Sequence, residues 1–294
     1  MKTNQLASQL CTQQDLESPV FKNWVRTFGE NEKQLHRKLW EWAYISEALS
    51  ERGYLNEGME GLGFAVGTEP LTAAFCSKGS KILATDLYPE LASQNGWVET
   101  AQHAASAEAL NERGLCDNDK FAEKCRFKHV DMNFIPSNLE DFDFIWSSCA
   151  LEHLGTLEKG EEFIYNAMAC LKPGGVAVHT TEYNVSSNDD TITSGPVCLY
   201  RKKDIERIVA NLVSDGHSVS VDFTYGDLPM DSVIDVPPYS HDPHLKLQIG
   251  KYVVTSIGLI IQKTNEIRPP ENTEVKSPAK GFSVKNFFNR GMNK

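Results

Sequence analysis

Two hydrophobic periods take turns along this chain, one of 3.6 residues and one of two, and their order predicts its layout. The first thirty residues are polar without a sustained period and predict irregular structure. From Asn31 to Arg52, Leu35, Leu39, Trp42, Ile45 and Leu49 fall on one face of a helix that Gly53 ends. Short apolar runs at 61–65, 81–86, 126–131, 142–147 and 176–181 then predict strands, with helical segments at 69–78, 89–112 and 158–171 between them. Strands separated by helix-length segments form βαβ units, so the expectation is a parallel sheet with helices on both faces. Beyond residue 182 the pattern changes. Residues 184–197 read as a polar loop, and 201–214 as a helix with Ile205, Ile208, Val209 and Leu212 inward. Residues 217–224 read as a half-buried strand, 226–247 as a proline-bearing loop, and Tyr252–Gln262 as a closing strand. A loop before the last strand predicts that the final two strands pair as an antiparallel hairpin, and loops this long are uncommon unless functional.

Composition narrows the class. An apolar fraction of 40% over 294 residues is ample for one large domain with appendages. A net charge of −11 disfavours a nucleic-acid-binding surface. The seven cysteines are scattered, without a Cys-x-x-Cys pair, which suits reduced thiols in a cytoplasmic protein. Residues 1–15 lack the apolar core of a signal peptide, and no run of eighteen apolar residues predicts a membrane span. After Lys263 the composition turns to that of a flexible segment. Residues 281–294 carry Phe282, Phe287 and Phe288 among basic residues, which suits weak contact with an anionic lipid surface or a partner.

The candidate chemistry starts in the stretch Glu60–Glu90. Gly61, Gly63 and Gly67 crowd a strand and its turn, where backbone bends sharply or lets a ligand approach. Thr68 is placed to cap the next helix, with Pro70 in its first turn. Asp86 ends the second strand about twenty residues beyond the glycines, the spacing at which a carboxylate binds the hydroxyls of a ribose-bearing cofactor. Downstream lie Val130-Asp131-Met132 at the end of the third strand and Phe142–Leu154, ending Ala-Leu-Glu-His-Leu, at the fourth. Leu171-Lys-Pro-Gly-Gly175 precedes the fifth. With these motifs in this order the chain resembles a class I S-adenosylmethionine-dependent methyltransferase of the type 11 kind, over residues 58–182 and, if the closing strands form that family's reversed hairpin, to 263.

The resemblance implies a Rossmann-like, doubly wound, seven-stranded and mostly parallel α/β sheet with a reversed last strand, plus N-terminal helices. It implies S-adenosylmethionine as cofactor. The family's glycine turn falls on Ala65-Val66-Gly67-Thr68-Glu69, so only its middle glycine is kept, and the acidic residue before the turn is replaced by Gly63. The cofactor would meet Gly63, Ala65, Gly67 and Glu69. Asp86 would accept from the ribose hydroxyls, Leu87 and Met132 would pack on the adenine, and Asp131 would accept from its amino group. Ser147 and Ser148 would face the methionine part. Glu69 could hold the ligand's ammonium group.

Methyl transfer requires an in-line acceptor, exclusion of water and, for a hydroxyl, a base within reach. His153 is the first candidate base, with His179 and Glu182 the second group; a histidine packed structurally in the Glu-His-Leu turn is the competing reading. Trp40, Tyr44, Tyr183, Tyr239, His241 and His244 are candidates for the acceptor side. A divalent site from Glu152, His153, Glu182 and a late-loop histidine is weighed and not adopted, since Cys149 stands where a further carboxylate is needed. The expected acceptor is a polar small molecule or a glycan, methylated on oxygen. The rivals are an NAD(P)-dependent dehydrogenase and a non-catalytic scaffold of the same fold. The expected organisation is an N-terminal helical segment (1–57) that could act as a lid, a catalytic domain (58–263) with acceptor loops 184–197 and 226–247, and a flexible basic tail (264–294).

Overall fold

The computed structural model describes residues 5–94, 97–98 and 102–264; the basic tail beyond 264 lies outside the described residues. Among these, ten strands form one mixed sheet. Eight lie side by side in the order β4 (Cys125–His129), β3 (Lys81–Asp86), β2 (Glu60–Phe64), β5 (Phe142–Ser148), β6 (Leu171–Asn184), β10 (Tyr252–Gln262), β1 (Ser8–Leu10) and β7 (Val221–Asp222). Strands β2 to β6 run parallel, and β10 runs antiparallel against β6 from Val254↔Asn184 to Gln262↔Val176. The short strands β8 (Ile234–Asp235) and β9 (Lys246–Ile249) pair with each other, and β9 adds to β10. The chain thus has the Rossmann-like, doubly wound, mostly parallel sheet with a reversed last strand. The order reverses between β2 and β5, which opens a crevice at the carboxyl ends of those strands.

Two glycines of β2 explain how that centre packs. Gly61 is in register with Phe144 and Gly63 with Trp146 on β5. A Cβ at either position would stand 2.3 or 2.4 Å from the neighbouring ring. These glycines make room for aromatic rings rather than for a ligand or a bend, a correction to their sequence reading. Phe75, on α4 (Leu71–Lys78), meets both rings edge-on at 6.1 and 5.1 Å. The opposite face of the sheet buries Leu62, Phe64 and Ile145 in one cluster with Phe163 of the helix Leu157–Ala167 and Ile205 and Ile208 of the helix Lys202–Ser214. Both faces are dry, which is why the strands read as continuous apolar runs.

The described residues 5–30 are structured, contrary to their polar pattern. They hold β1, α1 (Gln13–Glu17) and α2 (Pro19–Thr27), followed by α3 (Arg37–Glu51). Thr12 caps α1 by accepting from the Asp15 N–H, and Ser18 caps α2 ahead of Pro19. Strand β1 is too short to show a period. It inserts between β10, antiparallel, and β7, parallel, with Ser8 Oγ accepting from the Ile260 N–H at 2.9 Å. The predicted hairpin of 217–224 with 252–262 is therefore reduced to a single bridge, Ser218↔Gln262.

The helix expected over 89–112 is also corrected. The described part holds α5 (Pro89–Gln94) and a short 3₁₀ turn at Glu108–Asn111. Between them, residues 102–104 are drawn onto the strand ends. The Ala104 N–H donates to Asp86 and His103 Nε2 bonds the Leu87 carbonyl, contacts a continuing helix could not make.

Candidate functional site

The carboxyl ends of β2, β3, β4 and β5, together with the start of α3, enclose a cavity of about 580 Å³. Its floor is the turn after β2. Ala65 and Gly67 both take left-handed backbone, at φ 46 and 53°, while the Val66 N–H reaches across to the Thr85 carbonyl at 3.0 Å. Left-handed geometry costs an alanine about 1–2 kcal/mol, so the family's first glycine position is conformationally required here although the sequence has Ala65. Helix α4 starts from Pro70 without a side-chain cap, so Thr68 does not serve as predicted, although it lines the cavity. Glu69 lines it too. Its Oε1 accepts from Ser148 Oγ at 3.1 Å and faces Lys38 Nζ at 3.5 Å, whereas its buried Oε2 makes no hydrogen bond of good geometry, the Trp42 indole being the side-chain donor that acts on the carboxyl. Burial raises the Glu69 pKa, against the pull of Lys38.

At the end of β3, Asp86 is almost fully buried. Its Oδ2 accepts from the N–H groups of Gly67 (3.1 Å) and Ala104 (2.9 Å), and its Oδ1 from that of Leu87 (2.8 Å). Burial pushes its pKa up, and the three N–H groups oppose this. A carboxylate offers about four lone-pair positions, so three of them are engaged here. Leu87, Val130, Asp131, Met132 and Asn133 continue the wall. Asp131 Oδ1 accepts from the Asn133 N–H and side-chain amide at 2.8 and 3.1 Å.

After β5 come Ser148, Cys149 and Ala150, then His153. Cys149 is held at φ 43°, with its N–H donating to the Thr180 carbonyl, and burial raises its thiol pKa well above the ordinary value. His153 stands edge-on to Trp97 at 4.6 Å, and its Nδ1 lies 2.6 Å from the Pro196 carbonyl. A carbonyl only accepts, so Nδ1 carries the proton and Nε2 keeps its lone pair.

The remaining wall is the start of α3. His36 caps that helix by accepting from the Lys38 N–H at 3.0 Å, and Lys38 and Trp42 face the cavity. Beneath them runs a buried ionic network. Arg37 bonds Glu182, Glu41 and Ser256, and Lys38 pairs with Glu41 at 2.7 Å. Burial works against the Glu41 charge, but Lys38 and Arg37 outweigh it and hold the carboxyl down to about 2. Burial and the neighbouring His244 and Arg37 lower the His36 pKa to about 3.

The cavity therefore brings together Ala65, Gly67, Glu69, Asp86, Leu87, Asp131, Met132, Ser148 and His153 from the sequence-predicted set. Gly63 and Ser147 lie behind it, the former under Trp146 and the latter bonded to His179 at 2.8 Å. His179 is fully buried beside Phe163, and burial pushes its pKa down to about 3. Glu182 is tied to Arg37 below the cavity, where burial raises its pKa. Trp40 and Tyr44 stack on each other at 4.6 Å and point away, bonding Asp15 and the Ala7 carbonyl. Tyr183 is buried beside Phe223, and Tyr239 bonds the Gln248 carbonyl. His241 and His244 gather with His36, and Glu152 and Glu182 with Cys149; these are two separate groups, so the four-residue set weighed from sequence does not assemble.

Sequence reasoning missed His36, Lys38, Trp42, Trp97, His103 and Arg113. For α3 a signal existed: Arg37, Lys38 and Glu41 are charges at helical spacing in a helix otherwise rich in core residues. Trp97 and His103 fall in the segment misread as helix, and Arg113 just beyond it.

Residues 62–179 match the family model described as a methyltransferase domain. A comparison with curated protein sequences finds no match. Among solved structures, the chain is similar to magnesium protoporphyrin IX methyltransferase from Synechocystis PCC 6803 with bound SAH. The identity is 12% and the TM-score 0.46, covering 86% of this chain and 98% of that one. It is also similar to a SAM-dependent methyltransferase from Methanosarcina mazei (15% identity, TM-score 0.45, covering 74% and 98%). A third is an S-adenosylmethionine-dependent methyltransferase from Clostridium acetobutylicum ATCC 824 (14% identity, TM-score 0.42, covering 76% and 91%).

Proposed function

Because the chain carries a methyltransferase domain over residues 62–179, we propose that it is an S-adenosylmethionine-dependent methyltransferase acting on oxygen of a polar small molecule or saccharide. The observation that carries this reading is the pair of carboxylates lining one cavity, Asp86 at a strand end and Glu69 with a buried oxygen that lacks a well-placed donor. A buried carboxylate oxygen without a well-placed donor of its own is costly unless a ligand supplies one, and the cofactor's ammonium group would do so. Asp86 would accept from the ribose hydroxyls, and Leu87 and Met132 would pack on the adenine with Asp131 beside them. Asp86 has one lone-pair position left beside its three N–H donors, so accepting two hydroxyls requires it to release one of them.

When bound, the cofactor supplies a methyl group already activated by its sulfonium. What remains for the chain is to position an acceptor, exclude water and take one proton. The lone pair of His153 Nε2, fixed by the Pro196 carbonyl, receives the hydroxyl proton. Trp42, with the Arg113 guanidinium over its ring, and Trp97 supply aromatic wall to an acceptor, with Lys38, His36 and Arg113 as polar partners. The N-terminal segment thereby serves as a fixed cover of the acceptor side. Glu182 and Arg37 hold the start of α3 in place.

Thermal unfolding with S-adenosylmethionine, S-adenosylhomocysteine and NAD(P) tests the cofactor. A ligand at a hundred times its Kd adds roughly 2.7 kcal/mol, expected for the first two and lost in Asp86→Ala. Stabilisation by NAD(P) alone would refute the reading, and stabilisation by none would favour a scaffold. His153→Ala is expected to bind cofactor normally and turn over slowly; loss of binding in that variant would remove His153 from the base role.

A further inference from the structure

We propose that His36, His241 and His244 form a binding site for a divalent transition-metal cation of the zinc class at the rim of the cavity. Each residue offers a ring nitrogen, and these atoms lie within 4.8 Å of one another. The ring centroids stand 4.6 Å (36–244), 5.3 Å (241–244) and 6.1 Å (36–241) apart; the His36 ring stacks on the other two, so it must turn about its side-chain bonds to bring its in-plane lone pair onto a shared ion.

The grouping is imposed by backbone, not by chance contact of mobile side chains. The segment before α3 and the segment 241–244 are laced together. The His244 N–H donates to the Leu35 carbonyl at 2.7 Å, and the Arg37 N–H to the His244 carbonyl at 3.0 Å. The Leu35 N–H donates to Asp242 at 3.2 Å, and the Gln34 side chain to the His241 carbonyl at 3.3 Å.

A second observation concerns Asp235. Its buried carboxylate accepts from His244 Nδ1 at 2.6 Å, and also from the N–H groups of His241 (3.0 Å) and Ser240 (2.9 Å). A carboxylate on one ring nitrogen is how proteins aim the other at a metal: it fixes the tautomer so that Nε2 presents a lone pair. The same carboxylate holds the turn in which His241 sits at φ 63°, left-handed backbone that histidine seldom takes. An exposed imidazole is thus kept beside two others on a strained, buttressed turn.

Imidazole donors suit zinc, copper, nickel and iron, whereas magnesium and calcium prefer oxygen. His36 sets a condition. Its Nδ1 accepts the Lys38 N–H, so its proton is on Nε2, and coordination through Nε2 moves that proton to Nδ1 and releases the helix cap. Three protein ligands leave a coordination position for water or an acceptor oxygen, and His36 itself lines the cavity.

The test uses the full chain without a histidine tag, stripped with chelator and titrated with Co²⁺, reading the visible ligand-field bands. One equivalent of Co²⁺ should give bands that Zn²⁺ displaces and Mg²⁺ does not. His241→Gly suits the left-handed backbone, so its metal-free unfolding temperature should match the parent, while its Co²⁺ affinity falls at least tenfold. Asp235→Asn should weaken binding about 10–100-fold, and Cys149→Ala should leave it unchanged. Absence of bands overturns the proposal. So do bands that survive in the folded His241→Gly, His244→Gln double variant, or bands lost in Cys149→Ala, which would place the metal at Cys149, Glu152 and Glu182.

Discussion

Glu69→Gln separates a cofactor-binding carboxylate from a structural one. In the parent, Oε1 is engaged by Ser148 and Lys38, while the buried Oε2 makes no hydrogen bond of good geometry and has the Trp42 indole as its side-chain donor. If Oε2 accepts the ammonium group of the methionine moiety, the interaction is a charge-assisted hydrogen bond worth about 1.5–3 kcal/mol. Lys38 at 3.5 Å repels the same ammonium, which favours the lower half of that range. At 1.4 kcal/mol per decade, Kd for S-adenosylhomocysteine should rise about 10- to 40-fold. The fold should not suffer. Burial already disfavours the Glu69 charge, and Lys38 keeps its closer partner Glu41 at 2.7 Å, so the unfolding temperature should stay level or rise. Isothermal titration with S-adenosylhomocysteine and with 5′-methylthioadenosine, which lacks the amino-acid part, gives the readout. Only the first should weaken. Equal affinity of parent and variant for S-adenosylhomocysteine, or equal loss for both ligands, would refute the reasoning.

Three further outcomes follow from the same geometry. Gly63→Ala places a Cβ 2.4 Å from the Trp146 ring and 2.5 Å from Val66; overpacking of this kind costs about 1–3 kcal/mol, read as a lowered denaturation midpoint with an unchanged slope. Ala65→Gly removes left-handed strain of about 1–2 kcal/mol and adds about 0.5–1 kcal/mol of chain entropy, so stability should hold or increase, and a clear loss would contradict the strain. Burial raises the Asp86 pKa in the folded chain above its unfolded value, so this group's contribution to stability without cofactor declines as pH rises from the unfolded to the folded pKa. Cofactor binding uses the anion, so affinity should strengthen with pH through that raised pKa, and binding titrations across the acidic range should show a step that Asp86→Asn lacks.

The parallel core was legible because strands buried on both faces print as apolar runs, and because a strand-end aspartate marks a sheet position whatever surrounds it. Strand Tyr252–Gln262 was read to the residue for that reason. Strand Ser8–Leu10 was not, since three residues show no period, and the two helices that follow it are of only five and nine residues. The segment around residues 102–104 failed for another reason. Its conformation is decided by contacts far along the chain, the carboxylate of Asp86 and the carbonyl of Leu87, and local propensity carries no record of those.

The candidate site divides along the same line. Residues on the strand ends and the β2 turn were found because topology alone puts them at the crevice. The acceptor side was largely missed because helix α3 is buried almost all round. Aromatic residues on it were expected to face the acceptor, yet Trp40 and Tyr44 anchor the helix, while Lys38 and Trp42 face the cavity. The glycines carry the opposite lesson. Gly61 and Gly63 are explained by Phe144 and Trp146, and the position that does need left-handed backbone is occupied by Ala65. A glycine in a strand thus has two physical causes, close packing and unusual φ, and only the register with β5 separates them. Once they are separated, the cofactor turn reduces to Ala65, Gly67 and Glu69. What sets that turn apart is one strained alanine and one buried carboxylate with an oxygen that lacks a well-placed donor.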